Sequence, residues 1–149
     1  MNKEYPNSFP VVLIIPILTA VCVVGLFTVV LAGGTGPEIT GVEWQWAGSK
    51  YSNDTEAVPP DPSHYTLMLN QGGTIAVRAD CNRAGGTWKK EDSRITITVT
   101  HSTMAMCPPE SLDTVYLKDL GRAVIYFIRD GNLYLDLAYD SGTMKFERP

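Results

Sequence analysis

The chain has 149 residues, 44% hydrophobic and 19% charged, with 12 Lys+Arg against 16 Asp+Glu and a net charge of −4. That length is one domain with at most an appendage, and the acidic balance argues against an anionic-lipid surface and excludes phosphate-backbone binding as the main activity. Three Cys and two His, without a CxxC, HExxH, GxSxG or phosphate-loop pattern, argue against the enzyme classes that carry a local signature.

A short tail, residues 1–10, holds the only charges of the first 36 residues, Lys3 and Glu4. From Val11 to Ala32 the sequence VVLIIPILTAVCVVGLFTVVLA has no charge. As a helix rising 1.5 Å per residue, it would cross the roughly 30 Å hydrocarbon core of a bilayer. A cleaved signal peptide, cut before Gly33, is the competing reading. Such peptides carry an apolar core of about 7–15 residues behind a basic start, whereas this core is longer and its start is neutral. Lipidation at Cys22 is a third reading, weakened by Val21, which is not the small residue such a site requires. Pro16 is expected to kink the first turn, and Gly25 would allow close helix approach. Lys3 precedes the span and no Lys or Arg follows until Lys50, which places the N-terminus in the cytoplasm. Residues 33–38, rich in Gly and ending near Pro37, are a linker, and the folded domain is expected over 39–149.

The first expected strand holds Trp44 and Trp46. Tyr65–Leu69 and Thr74–Ala79, joined by the turn Asn70-Gln71-Gly72-Gly73, predict a hairpin. A short strand follows around Trp88. Arg94–Thr100 alternates Ile95, Ile97 and Val99 with threonines, the pattern of a half-buried strand central to a sheet. Between Pro109 and Gly121, Leu112, Val115, Tyr116 and Leu120 recur at helical spacing, with Glu110 and Asp113 in the first turn and Gly121 at the C-cap. Ala123–Ile128 and Leu133–Tyr139 form a second hairpin about Asp130-Gly131-Asn132, and Thr143–Arg148 adds a last strand. Seven or eight strands and one amphipathic helix give a mainly β fold, a small antiparallel barrel or a strongly twisted sheet with one packed helix.

The blocks from Asp80, Cys81 and Asn82 through Gly85 and Gly86 to Trp88, and from Ser102, Thr103 and Met104 to Cys107 and Pro108, lie in that order around a strand. With Trp44 and the ending Gly131–Leu135, they cover nearly all of residues 41–148. In these blocks the domain resembles the META domain family, the HslJ-like heat-shock proteins. The resemblance implies a β-structure with one helix, and binding or structural support in the bacterial envelope, associated with stress, secretion or antibiotic tolerance, in place of catalysis. The membrane span is not part of that pattern. Combined with it, the expectation is a single-pass protein of the bacterial cytoplasmic membrane whose domain is periplasmic or extracellular and engages a protein partner.

Cys81 and Cys107 both fall in the matched blocks and enclose 25 residues. In an oxidising compartment a disulfide between them would stabilise the fold by about 3 to 4 kcal/mol; the alternative is two buried thiols. Asn82, Arg83, Gly85 and Gly86 are expected to shape a tight turn, with Arg83 offered to a partner as the functional alternative. Met104, Ala105 and Met106 are expected to fill the core, with a soft binding surface as the alternative. Trp44 is expected in the core. Trp46 is open between the core and a membrane headgroup layer. His101 and Ser102, adjacent on a strand, point to opposite faces and do not make a nucleophile–base pair with Asp80 or Asp113. His64 sits isolated in a Pro-rich loop, and two His about forty residues apart lack metal-ligand spacing. No catalytic residue, metal or cofactor is therefore assigned.

Overall fold

The computed structural model describes residues 38–149. The tail, the apolar span with Pro16, Cys22 and Gly25, and the linker up to Pro37 lie outside the described residues. Among the described residues no helix is long and apolar enough to cross a membrane.

Nine strands occur among the described residues: β1 (Glu43–Tyr51), β2 (Glu56–Ala57), β3 (Tyr65–Leu69), β4 (Thr74–Ala79), β5 (Asn82–Glu91), β6 (Arg94–Ser102), β7 (Ala123–Arg129), β8 (Asn132–Leu137) and β9 (Gly142–Glu147). Each pairs antiparallel with its sheet neighbours in the order β2-β1-β3-β4-β5-β6-β7-β8-β9. β1 also pairs with β9, from Gln45↔Glu147 to Tyr51↔Gly142, which closes eight strands into a barrel. The two-residue β2 is an appended rail on β1.

Both expected hairpins form. Tyr65↔Ala79 through Leu69↔Ile75 pair in one, and Ile128↔Leu133 closes onto Arg129↔Asn132 in the other. The barrel is weakest between β6 and β7, which share the single strand pairing Arg94↔Ile125 and a backbone bond from Tyr126 N–H to the Ser93 carbonyl. Helix α1 (Asp113–Leu120) lies in the long connection between these two strands and packs on β4 and β6. It starts later than the sequence suggests, so Asp113 and not Glu110 occupies its first turn.

The inward positions follow the period-two pattern of a strand with one buried face. Ile75, Val77, Ile95, Ile97, Leu133, Leu135, Leu137, Met144 and Phe146 are all buried in one cluster. Eight strands enclose a space that side chains can fill, and large aromatics occupy much of it. Trp46 stacks on Tyr116 of the helix with ring centroids 4.9 Å apart, and Tyr65 meets both edge-on at 5.5 and 5.7 Å. Trp46 is therefore a core residue, not an interfacial aromatic. Trp44 is buried too, and its indole N–H donates to the Ile39 carbonyl at 3.0 Å, which ties down the start of the domain.

The far end of α1 is clipped to β1. Asp119 is buried and accepts hydrogen bonds from Ser49 Oγ at 3.1 Å and Tyr51 Oη at 2.6 Å. Burial, reinforced by the Asp119 carboxylate, pushes the Tyr51 phenol up to about 12.

Candidate functional site

The two blocks that carry the family resemblance meet at one end of the barrel. After β4, Asp80 adopts φ 55°, a left-handed conformation that Asp tolerates, and the chain reverses directly into β5 at Asn82. The turn is thus Asp80-Cys81, and Asn82, Gly85 and Gly86 lie within a ten-residue strand, contrary to the turn expected there.

The two glycines are needed for close approach. β5 bulges between Gly85 and Gly86, and a Cβ on Gly86 would lie 1.9 Å from the Thr98 carbonyl oxygen of β6. A Cβ on Gly85 would lie 2.6 Å from the His101 ring.

Asn82 is 3% exposed and organises the loop between β6 and α1. Its Oδ1 accepts from Thr103 Oγ1 at 2.9 Å and from the Ala105 N–H at 2.8 Å. Its Nδ2 donates to Asp113 Oδ2 at 3.0 Å and to the Ala105 carbonyl at 3.2 Å, with Cys107 Sγ at 3.3 Å. A carboxamide has two donor hydrogens and two acceptor lone pairs, and all are used here, so the buried amide is satisfied. Thr103 and Arg83 exchange a further pair of bonds: Thr103 N–H donates to the Arg83 carbonyl and Arg83 N–H to Thr103 Oγ1, both at 2.9 Å.

Cys81 and Cys107 are joined as a disulfide, with Cα atoms 5.5 Å apart. Pro108 then accepts from the Ser111 N–H at 2.9 Å in the turn that leads to the helix.

Residues 103–107 are therefore held by Asn82, the two bonds between Thr103 and Arg83 and a covalent link. Yet the two apolar side chains on this loop point away from the protein: Met104 is 96% and Met106 99% exposed. The expectation that they fill the core is wrong. The loop meets the barrel through backbone groups, Thr103 and Cys107, which leaves the side chains at 104 and 106 outside.

Other sequence candidates resolve as local structure. Arg83 Nη1 folds back to the carbonyls of Asp80 and Asn82 at 3.3 and 3.2 Å. His101 Nδ1 lies 3.1 Å from Thr100 Oγ1, while Ser102 Oγ donates to the Thr103 carbonyl at 2.8 Å, so neither engages the other. His64 is not isolated, because its Nδ1 lies 3.3 Å from Asp80 Oδ1 and its Nε2 3.8 Å from Asp61 Oδ2. The side chains of Ser63 and Asp61 hydrogen-bond within that loop, and this holds the Asp61 carboxyl below its usual range. Among the described residues no three His, Cys, Asp or Glu side chains converge as a metal-binding set.

Sequence reasoning singled out Asn82 as a motif residue but missed its role, and it missed Asp119 altogether. The pairing of the two blocks around one strand was the available signal for Asn82. Nothing local marks Asp119.

Comparison with solved structures places the same fold elsewhere. An NMR structure of a protein from Burkholderia xenovorans aligns with a TM-score of 0.61 at 21% identity, covering 74% of this chain and 83% of that one. A crystal structure of a DUF4847 family protein from Bacteroides vulgatus aligns with a TM-score of 0.55 at 14% identity, covering 74% and 94%. At these identities the likeness is one of fold. No curated protein matches the sequence. The META domain matches residues 37–148, three-quarters of the chain and every strand described above, and the chain belongs to the META domain family.

Proposed function

We propose that this protein is a non-enzymatic binding module of the bacterial envelope, in which an N-terminal span holds a periplasmic or extracellular META domain that binds or stabilises an envelope component, in a stress-related setting. The observation that carries this reading is the loop Thr103–Cys107, which is pinned by a buried amide and a disulfide and yet presents two methionines to solvent. A large apolar side chain held outward on an ordered loop is a feature of binding surfaces, and flexible thioethers adapt to varied partners. The Cys81–Cys107 disulfide suits an oxidising compartment, and the uncharged run from Val11 to Ala32 suits an anchor.

A second reading, an accessory subunit of a multi-protein membrane complex, is favoured by Ala20 and Gly25 within that run, small residues that let helices approach.

Site-specific photocrosslinking in membranes tests both. A crosslinker at position 104 or 106 is expected to capture one defined envelope component, and a crosslinker at the equally exposed Tyr139 is expected to capture none. Crosslinks from within residues 11–32 to a stoichiometric membrane subunit would select the second reading. Equal capture from 104 and 139, or recovery of a soluble chain beginning at Gly33, would contradict the first.

A further inference from the structure

We propose that Met104 and Met106 together chelate a soft monovalent metal ion, Cu(I) or its redox-inert surrogate Ag(I). This names a ligand for the loop and rests on the reading of that loop as the working surface.

A methionine side chain contributes hydrophobic area or a soft sulfur donor. At 96% and 99% exposure, the hydrophobic area is unused in the protein itself. The sulfur lone pairs remain, two residues apart on a loop held in place by the Asn82 bonds and the disulfide. Thioethers are weak donors toward hard ions such as Mg²⁺ and Ca²⁺, and toward Zn²⁺ they are outclassed by thiolate and imidazole. They suit Cu(I) and its heavier congener, which accept low coordination numbers.

The cysteine sulfurs nearby are withdrawn as soft donors. The sulfurs of Cys81 and Cys107 are bonded to each other and offer no thiolate. Asp113 is engaged by Asn82. A single thioether binds such an ion weakly. A second one two residues away on the same loop turns the next binding step into an intramolecular one, and the gain comes from effective concentration with no new contact type. Pinning the backbone lowers the ordering cost of that step further. Loosening the loop should therefore weaken chelation even with both methionines present.

The test is an Ag(I) titration of the full chain in detergent and chloride-free nitrate buffer. Cys22→Ser removes the one remaining thiol, and the methionine ε-methyl NMR signals are followed. The expected result is that the signals of Met104 and Met106 shift together and saturate at one ion per chain, while buried Met144 stays fixed. Met104→Leu and Met106→Leu, which keep size and exposure, should each weaken binding tenfold or more, and the double variant should abolish it. Cys81→Ser with Cys107→Ser should weaken it while leaving both thioethers in place.

Independent saturation of the two methyls with the affinity of N-acetylmethionine would overturn the proposal, as would full affinity in the double Leu variant. Crosslinking from the exposed position 105, which leaves both methionines in place, with and without a Cu(I) chelator separates the two readings. Capture that persists in a protein lacking chelation overturns the metal site alone, and chelation without capture overturns the protein-docking reading alone.

Discussion

The β3–β4 and β8–β9 walls of the barrel and the loop Thr103–Cys107 are held in place by opposite means. The walls alternate inward apolar residues, and Leu67, Leu69, Leu133, Leu135 and Phe146 are fully buried. The loop buries almost no apolar side chain and is held by one carboxamide, two Thr103–Arg83 bonds and a disulfide. The difference separates two uses of stabilisation. Apolar burial makes the body fold, whereas polar and covalent ties fix a segment whose own side chains are left free for something outside the chain.

This contrast predicts a graded series. The largest effect belongs to the core. Trp46→Ala leaves a void beside Tyr65 and Tyr116 and should cost about 3 to 5 kcal/mol, measured by urea unfolding of the oxidised protein. Next is the disulfide. Cys81→Ser with Cys107→Ser should cost about 3 to 4 kcal/mol from loop-closure entropy, while circular dichroism of the sheet stays unchanged at low denaturant. If the sheet signal fell with it, the loop would be part of the body and the contrast would collapse.

Asn82→Ala should follow at about 1 to 3 kcal/mol, because the Ala105 N–H and the Asp113 carboxylate lose their partner. Smaller still is an alkaline dependence from Tyr51. Its folded pKa is raised from 10.0 to about 12, so the protonated phenol favours the folded state. That contribution is fully present below pH 10 and is lost as pH rises toward 12, so thermal stability should drop over this window in the wild type and less so in Tyr51→Phe. At the bottom, Met104→Ser with Met106→Ser should change stability by less than about 0.5 kcal/mol, since neither side chain touches the core. A large loss there would show that the methionines are structural.

The same contrast explains what could be read from the sequence. The hairpins at Tyr65–Ala79 and Ala123–Leu137, the Arg94–Ser102 strand and the helix around Tyr116 were legible because alternation and helical spacing are local signals. Closure of β1 on β9 was not, since the same alternation serves an open twisted sheet. For β5 the sequence alone predicts a turn followed by a short strand, because Asn and Gly tolerate φ > 0. Its ten residues are fixed instead by pairing on both sides and by a bulge where only Gly fits against Thr98.

For Met104 and Met106 the sequence predicts core positions, because an apolar residue in a turn-to-helix passage usually packs. What reversed them is a network from Asn82 reaching 21 to 31 residues along the chain, which has no periodicity to detect. The His64–Asp80 pair and the Asp119 clip are likewise products of tertiary proximity. The disulfide, to which two buried thiols are the alternative in the sequence alone, follows from the same meeting of the two blocks.

The central claim is that Thr103–Cys107 is a fixed platform although its methionines are free. Amide hydrogen exchange of the Ala105 N–H, compared with that of Leu135 in the barrel wall, tests it most directly. In the oxidised wild type the Ala105 amide should be strongly protected by Asn82 Oδ1, and in Asn82→Ala it should exchange at least tenfold faster while the Leu135 amide keeps its protection. An Ala105 amide that exchanges at an unprotected rate in the oxidised wild type would contradict the account.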